Sequence, residues 1–376
     1  MIKVLVAGDF CPQCRISSLF ENANYDQVLS EVKPIIEKAD YSIINLECPV
    51  TKGIEKPIEK KGPNLQCSEK GVEAIKWAGF DSVTLANNHF LDYGENGVKN
   101  TLEVCNKFGI DTVGGGNSLK EASTILYRDI ENQTLAIINC CEHEFSIATE
   151  TSAGSNPLNP IQQYYAILEA KKNADYVLVI VHGGHEYYQL PSPRMQESYR
   201  FFIDSGADAV VNHHQHCFSG YEVYKGKPIF YGLGNFCFDE GVGNKESWYE
   251  GYMVELGLSQ NAIDYKIYPY KQCTEEAKVS MLANGYYDKK IINLNKIITD
   301  NEKLRESTEK YFKSCMLTAS SVFEPTENRI VLGLQRRGWI PSFLSKRQWL
   351  KLQNYILCES HRDKLAFFLN KKYGKY

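Results

Sequence analysis

Side chains that can bind metal ions recur through the first two-thirds of the sequence. The set comprises Asp9, Glu47, Asn88, His89, His182, His214 and His216. Carboxylate and amide oxygens suit hard divalent cations, whereas imidazole suits manganese, iron or zinc, so this mixture predicts a transition-metal or mixed site. The set is larger than one tetrahedral ion needs. Two ions about 3.5–4 Å apart could clamp the attacking and leaving oxygens of a phosphoryl group.

The spacing of three histidines predicts which of them face the same way. On an extended segment alternate side chains share one face, so His214 and His216 should point together and His213 should point away. We therefore expect His213 not to be a ligand. A single strand-end carboxylate or amide usually caps a helix, so the metal prediction depends on the whole set.

Short apolar runs alternate with helical patterns over the same part of the chain. Runs of strand length occur at residues 3–7, 41–46, 82–85, 135–139, 176–181, 209–211 and 229–231. Helical patterns occur at residues 25–39, 70–78, 94–108, 162–173 and 195–205. Alternating β and α units predict a layered α/β fold. The candidate ligands lie at or just after the carboxyl ends of these strands, where ligand crevices form in open α/β sheets.

The pattern changes near residue 270. Residues 1–270 are expected to form the α/β domain, and residues 271–376 a basic, mostly helical region with helices at 302–313 and 346–357. This region carries 20 basic and 11 acidic residues, although the whole chain has a net charge of −4. Residues 329–358 contain six basic residues and no acidic one, together with Trp339, Phe343 and Trp349. That composition fits peripheral contact with a membrane, or a helical cap on the acidic remainder.

Composition excludes several classes of protein. With 43% hydrophobic and 23% charged residues, the chain is neither disordered nor fibrous. No apolar run approaches the roughly 20 residues of a membrane-spanning helix, and the first residues lack a signal-peptide pattern. We therefore expect a cytoplasmic protein, free or peripheral to the membrane. The acidic net charge argues against nucleic-acid binding, and no pattern specifies an oligomeric state.

A Cys-Pro-Gln-Cys motif runs from Cys11 to Cys14, after the first predicted strand. A CxxC motif at a strand-to-helix junction can lower a thiol pKa and support disulfide exchange. The motif superficially resembles a glutaredoxin-type site, which makes a thiol oxidoreductase an alternative function. The competing interpretation is a pair of inert thiols, since the twelve cysteines do not form the pattern of a secreted disulfide framework.

Six short segments occur in a characteristic order. They are residues 8–9 (GD), 45–49 (NLECP), 86–94 (ANNHFLDYG), 182–187 (HGGHEY), 213–216 (HHQH) and 227–236 (KPIFYGLGNF). In this combination they resemble the CapA-like (poly-γ-glutamate capsule biosynthesis) family of the calcineurin-like metallophosphatase superfamily. The resemblance covers about residues 2–270. It implies a four-layer α/β/β/α sandwich with mixed sheets, here followed by a C-terminal helical appendage.

The resemblance also implies a ligand set for two divalent metal ions, manganese, iron or zinc. Asp9 would bind one ion, Glu47 would be the bridging carboxylate, and Asn88 would contact metal and a phosphate oxygen. The imidazole ligands would be His182, His214 and His216. Cys11 stands where the superfamily has a histidine two residues after the aspartate. Either Cys11 supplies a thiolate ligand, or one of the two metal sites is weaker.

Catalytic and substrate-binding roles are implied for neighbouring residues. His89 would protonate the leaving group or stabilise charge in the transition state, next to Asn88. Asp92 would orient the imidazole of His89. Substrate contacts are expected from Asn87, His185, Glu186 and Asn235.

The resulting prediction is a metal-dependent phosphoesterase. It would act on an anionic, phosphorylated or polymer-related substrate in the synthesis of capsule, polysaccharide or another cell-envelope polymer. The first alternative is an accessory protein of polymer biosynthesis that binds metal and substrate without turnover, because the first motif lacks its histidine. The thiol oxidoreductase is the second alternative.

Overall fold

Buried apolar strands in the first 304 residues form two mixed β-sheets in the computed structural model. The structure describes residues 1–241, 243–259, 262–320, 323–326, 328–358, 360–362, 364–365 and 369. The chain divides into two compact units, Met1–Leu304 and Arg305–Tyr376. Both sheets belong to the first unit.

The first sheet has eight strands in the described part of the chain and is built around the N-terminal strand. Its strands are β1 (Ile2–Cys11), β2 (Tyr41–Leu46), β3 (Ser82–Thr84), β4 (Asp111–Val113), β13 (Asn235–Phe238), β14 (Glu250–Leu258), β15 (Ile263–Gln272) and β16 (Val279–Met281). Their order is β16-β15-β14-β1-β2-β3-β4, and β13 pairs with the carboxyl end of β1. Strands β1 to β4 run parallel, whereas β14 to β16 are antiparallel. Both faces of β1 are covered, so every residue in it except Lys3 is buried.

The second sheet repeats this mixture of directions. Its strands are β6 (Leu126–Ile130), β7 (Gln133–Cys141), β9 (Tyr176–His182), β10 (Ala209–His213), β11 (Tyr221–Tyr224) and β12 (Lys227–Phe230). The order is β11-β12-β10-β9-β7-β6, with β7, β9, β10 and β12 parallel. A short separate pair consists of β5 (Gly115–Gly116) and β8 (Gly154–Ser155).

Helices of the first unit cover the outer faces of the two sheets, and further helices follow along the chain. In chain order they are α1 (Cys14–Glu21), α2 (Tyr25–Leu29), α3 (Lys33–Ile36), α4 (Glu69–Ala78), α5 (Gly94–Lys107), α6 (Leu119–Ala122), α7 (Pro160–Asn173), α8 (Pro193–Ser205), α9 (Glu246–Tyr249), α10 (Asp288–Ile298), α11 (Asn301–Ser320), α12 (Arg329–Arg336) and α13 (Lys346–Leu357). One apolar cluster joins α1, α2, α4 and α5 to the first sheet, and another joins α7 and α8 to the second. A third cluster, which includes Val4, Ile43, Ile137 and Ile180, lies between the sheets. This arrangement confirms the predicted four-layer α/β/β/α sandwich.

Two details differ from the sequence prediction. The helix predicted at residues 25–39 is interrupted, because Pro34 lacks the backbone donor of a helix interior and instead stands in the first turn of α3. The strand pattern was expected to stop near residue 271, but β16 follows, and α10 then buries Ile291 and Ile298 in the core. The first compact unit accordingly ends at Leu304 rather than at the expected residue 270.

The second unit contains α12 and α13. Asn328 caps α12, and Ser345 and Gln348 form a capping box at the start of α13. Several large apolar side chains are exposed among the basic residues, including Ile330, Trp339, Phe343, Leu350, Tyr355 and Ile356. Across the described residues, no helix combines the length and apolar character needed to span a membrane.

Truncation tests where the folded core ends. A chain that ends at residue 320 keeps every residue of the three apolar clusters, and we expect its thermal midpoint within about 4 °C of the full chain. A chain that ends at residue 270 loses Ile291 and Ile298, and each lost core side chain costs roughly 2–5 kcal/mol. Circular dichroism should show no cooperative transition for this shorter chain. Equal stability of the two chains would show that α10 does not contribute to the stability of the core.

Peripheral membrane contact by the second unit stays a prediction. The side chains of Trp339 and Phe343 are 73% and 52% exposed next to basic residues. We expect the full chain to sediment with phosphatidylglycerol vesicles and not with phosphatidylcholine vesicles, because both apolar insertion and charge contribute. The double variant Trp339→Ser/Phe343→Ser should lose most of this binding. A wild-type chain that stays in the supernatant with both lipids would exclude the contact.

Candidate metal centre

The carboxyl ends of parallel strands from both sheets meet at one rim of the sandwich. Strand β1 carries Asp9 and β2 carries Asn45, one residue before its end, with Glu47 directly after that end. In the second sheet, β9 ends at His182. The amide Nδ2 of Asn45 joins the sheets, because it donates to Oδ1 of Asp9 at 2.7 Å and lies 3.3 Å from Nδ1 of His182. Residues far apart in the sequence are thus in contact.

Two groups of donor atoms share the carboxylate of Glu47. One group is Glu47, His182 and His214, and the other is Asp9, Glu47 and His216; within each, the donor atoms lie within 4.8 Å of one another. The Nε2 atoms of His182 and His216 are 3.5 Å and 3.7 Å from the same oxygen, Oε1 of Glu47. All of these side chains are buried. The cluster is compatible with binding of divalent metal ions.

The environment of Glu47 indicates whether a cation fits this cluster. Its side chain is fully buried, and within the described residues neither carboxylate oxygen has a hydrogen-bond partner. Burial, reinforced by the negative charge of Asp9, raises the pKa of Glu47 well above its usual 4.5. Burial and the neighbouring His214 lower the pKa of His182 well below 6.5, which keeps that imidazole neutral. A buried carboxylate without donors or counter-charge is unfavourable, so the residues fit a divalent cation.

His213 lies closer to the site than its spacing predicted. Its Nδ1 is 3.3 Å from Oδ1 of Asp9, so the expectation that it points away is wrong. The segment is not extended beyond β10, because His214 and His216 adopt φ angles of 91° and 52°. Such left-handed backbone is uncommon outside glycine and persists where the surrounding structure enforces it. Among the described residues, His213 belongs to neither donor group.

The carboxylate of Asp9 accepts hydrogen bonds from the protein, whereas that of Glu47 accepts none from the described residues. It accepts hydrogen bonds from Nδ2 of Asn45 and from the backbone N–H of His214 at 3.2 Å. Burial alone would raise the pKa of Asp9, but its contact with His213 and the electrostatic influence of His182 and other histidines lower it. Asp9 is therefore ionised at neutral pH.

Asn235 orients the imidazole of His216. Its Oδ1 is 2.9 Å from Nδ1 of His216, which leaves Nε2 of that ring facing Glu47. Phe238 and Trp248 pack against the ring with centroid distances of 5.2 Å and 5.3 Å. Partners of this kind fix the tautomer and direction of a ligating imidazole. Asn235 thus supports His216, and the substrate contact expected of Asn235 stays a prediction.

Asn88 lies next to the group that contains His182. Its Oδ1 is 3.0 Å from Nε2 of His182, and Nδ1 of His214 is 3.1 Å from the same nitrogen. On the outer side, Oε1 of Glu144 is 3.8 Å from Nε2 of His214. An amide oxygen thus lies beside the imidazoles, and the contact of Asn88 with metal and phosphate stays a prediction.

A second cluster beside these residues contains His89 and Asp92. Nδ1 of His89 is 2.7 Å from Oδ2 of Asp92, so the structure brings this predicted pair together. The Nζ atom of Lys60 forms an ion pair with Oδ1 of Asp92 and lies 3.1 Å from Nδ1 of His89. Burial lowers the pKa of His89, although the interaction with Asp92 opposes this shift. Lys60 and Asp92 have side-chain exposures of 1% and 0%.

The remaining residues expected to contact substrate fall into two environments. Asn87 is buried, and its amide is used within the protein: Nδ2 donates to the carbonyl of Leu46 at 2.9 Å, and Oδ1 accepts from the backbone N–H of His89 at 3.0 Å. His185 is half-buried and Glu186 is exposed, in the segment that follows β9. The charge of Glu186 contributes to the raised pKa of Glu47, which places it near the site.

The two cysteines of the CxxC motif lie in different environments. Cys11 is buried in the apolar core beside Cys48, and burial raises the pKa of its thiol to about 11. Cys14 is exposed, and its pKa is also raised, by partial desolvation and by Asp239. Disulfide exchange needs a thiolate near neutral pH, and the environment of neither cysteine favours one. In the described residues Cys11 is in neither donor group, and a ligand role for its thiolate stays a prediction.

Two residues of the site had no predicted role. Asn45 stands among the apolar residues of β2, and its polarity in a buried strand was the signal that could have marked it. Lys60 lies in a loop with many charged residues, where neither periodicity nor a motif distinguishes it from Lys56 or Lys61.

Comparison with known proteins identifies relatives over the same region. Residues 3–240 match the family model described as bacterial capsule synthesis protein PGA_cap. The chain is 35% identical over 248 residues to the capsule biosynthesis protein CapA of Bacillus anthracis, which covers 64% of this chain and 60% of that protein. It is 36% identical over 244 residues to the PGA biosynthesis protein CapA of Bacillus subtilis, which covers 64% of each. A probable polyglutamine synthesis accessory protein of Mycobacterium tuberculosis is 29% identical over 223 residues, 56% of this chain and 58% of that protein. The chain thus spans about three-fifths of the length of these curated relatives.

The variant Glu47→Gln distinguishes the free-energy cost of burying the Glu47 carboxylate from the contribution of that carboxylate to metal binding. The pKa of Glu47 is higher in the folded than in the unfolded chain, so its ionisation destabilises the fold as pH rises above about 4.5. Without metal at pH 7, the variant should therefore be more stable than wild type by roughly 1–3 kcal/mol. Added Mn²⁺ or Zn²⁺ should raise the thermal midpoint of wild type and leave that of the variant nearly unchanged.

The matched control for this measurement is Glu73→Gln, at a carboxylate on α4 that pairs with Lys70 and lies outside the donor groups. It should respond to added metal as wild type does. A metal-free Glu47→Gln protein less stable than wild type at pH 7 would contradict the account of Glu47.

Proposed function

The chain belongs to the bacterial capsule synthesis family PGA_cap, and from this premise we propose that it is a metal-dependent phosphoesterase serving the synthesis of a capsule or related cell-envelope polymer. Membership confirms the CapA-like resemblance of the sequence. The observation that supports the activity most is that two groups of donors share the buried Glu47, whose carboxylate oxygens accept no hydrogen bond from the part of the chain that the structure describes. The substrate would be anionic, either a phosphate ester or a phosphorylated polymer precursor.

Two divalent ions would be held at the rim of the sandwich. Asp9, Glu47 and His216 would hold one, and the other would be held by Glu47, Asn88, His182 and His214. Carboxylate, amide and imidazole donors without a thiolate suit manganese, iron or zinc. When bound, such ions polarise a phosphoryl oxygen and supply a nucleophile at neutral pH.

His89 would act at the leaving group. Its Nδ1 is engaged with Asp92, so Nε2 is the ring nitrogen left to face a substrate oxygen; when Nε2 is also protonated, the ring is an imidazolium whose Nδ1–H stays on Asp92. Asn88, the neighbouring residue, would contact a phosphate oxygen. His185 and Glu186 lie on the segment after β9, from which they would contact the remainder of the substrate.

A non-catalytic accessory role is the second candidate. In this role the same residues bind metal and substrate without turnover. Two observations favour it: the histidine of the first motif is replaced by Cys11, which lies outside both donor groups, and the Mycobacterium relative is named an accessory protein. Metal binding without hydrolysis of any phosphate ester would support this candidate.

Asp9→Asn and His216→Ala test the phosphoesterase proposal. Each removes one ligand from a buried group, so each should lower the metal content of the purified protein. Hydrolysis of an aryl phosphate should fall by at least about 100-fold, because nucleophile and substrate are no longer held together. Elemental analysis and the hydrolysis rate are measured on the same samples.

The control for these variants is His143→Ala, at an exposed histidine outside the donor groups. It should keep wild-type metal content and rate. Full activity in both ligand variants would refute the assignment, and bound metal without activity in wild type would favour the accessory role.

A further inference from the structure

Lys60 is a buried lysine in a loop that is otherwise mostly exposed. Its side chain is 1% exposed, whereas its neighbours Glu59 and Lys61 are both exposed. Burying an ammonium group is unfavourable unless it is paired and hydrogen-bonded. The pairing here is with Asp92, a carboxylate that is itself completely buried. The loop is thus folded so that one of its lysines reaches the inside of the site.

Asp92 contacts both this loop and the imidazole of His89. Its Oδ1 pairs with Lys60, while its Oδ2 is 2.7 Å from Nδ1 of His89 and accepts the backbone N–H of Leu65 at 2.7 Å. Its backbone carbonyl accepts the N–H of Ile58 at 2.9 Å. Nζ of Lys60 also lies 3.1 Å from Nδ1 of His89, so this ring nitrogen faces both the ammonium and Oδ2. Because a contact of 2.7 Å between a ring nitrogen and a carboxylate oxygen needs a proton on the nitrogen, Oδ2 is the partner of Nδ1, and Oδ1 pairs with Lys60.

The partners of the two Asp92 oxygens determine how the imidazole of His89 is oriented. We propose that Lys60 is a positioning residue, which holds the Asp92 carboxylate so that Oδ2 accepts Nδ1–H of His89 and Nε2 is left for the substrate. The ring of Phe145, with its centroid 5.4 Å from Nζ, supports the ammonium from another side. Without the ammonium, Oδ1 loses its charged partner, and the carboxylate can rotate about the contact that Oδ2 makes with the backbone N–H of Leu65 and away from the imidazole. The kinetic consequence of this inference rests on the proposed function, but the orientation of His89 does not.

Histidine-specific ¹⁵N NMR of the full chain loaded with zinc tests the proposal. The two ring nitrogens of His89, assigned with His89→Gln, report which nitrogen carries the proton. Wild type should show a single Nδ1–H form, and Lys60→Met should lose it. Lys60→Arg, which keeps the charge, should restore it, and Lys61→Met should match wild type. Zinc content should be the same in all of these variants, because Lys60 is outside the donor groups.

Kinetics on an aryl phosphate give the second readout. Lys60→Met should lower kcat by roughly 10- to 100-fold, as loss of an outer-shell partner does, with little change in KM. A role of Lys60 confined to fastening the loop would lower the thermal midpoint and leave the His89 signals of the folded protein unchanged; that result would overturn the proposal. If Lys60→Met does not fold, Lys60→Gln provides the same comparison. A wild-type protein that binds zinc without turnover would refute the phosphoesterase, while the His89 signals would still decide the role of Lys60.

Discussion

Two carboxylates, Asp9 and Glu47, are buried together where the two sheets meet, and the surrounding side chains are arranged around that unfavourable burial. Their environments differ. Asp9 receives the amide of Asn45 and a backbone N–H, whereas neither oxygen of Glu47 has a donor among the described residues. The pKa of Asp9 is lowered and that of Glu47 is raised, although both are buried. Of these two carboxylates, Glu47 is therefore the one whose negative charge the described residues do not balance. Both donor groups share this residue.

The fold and much of the candidate site could be predicted because both depend on strand ends. Apolar runs of strand length identified β1, β2, β9 and β10, and the rule that loops converge at the carboxyl edge of a sheet brought their polar residues together. The antiparallel β14–β15 pair was not predicted. Its second strand begins with alternating apolar and polar residues, a period-two pattern that could have identified it. Its first strand is buried almost throughout and lacks that alternation.

What could not be predicted depends on backbone bends and on contacts between distant residues. The face shared by His214 and His216 was derived for an extended segment, but both have left-handed backbone angles, and His213 consequently contacts Asp9. The CxxC motif was a local pattern whose chemistry is decided by burial, which raises the pKa of Cys11. In both cases the contacts and pKa values of the residues depend on a three-dimensional environment that the local sequence pattern does not contain.

Asp92 connects the loop to the site through its main chain as well as through its side chain. The amides of Ile58 and Leu65 both donate to this one residue, and the same residue holds the imidazole of His89. Opening of the loop and loss of the imidazole's orientation are therefore a single local unfolding event. Hydrogen–deuterium exchange of these two backbone amides would consequently measure how often the loop opens and the site loses its geometry.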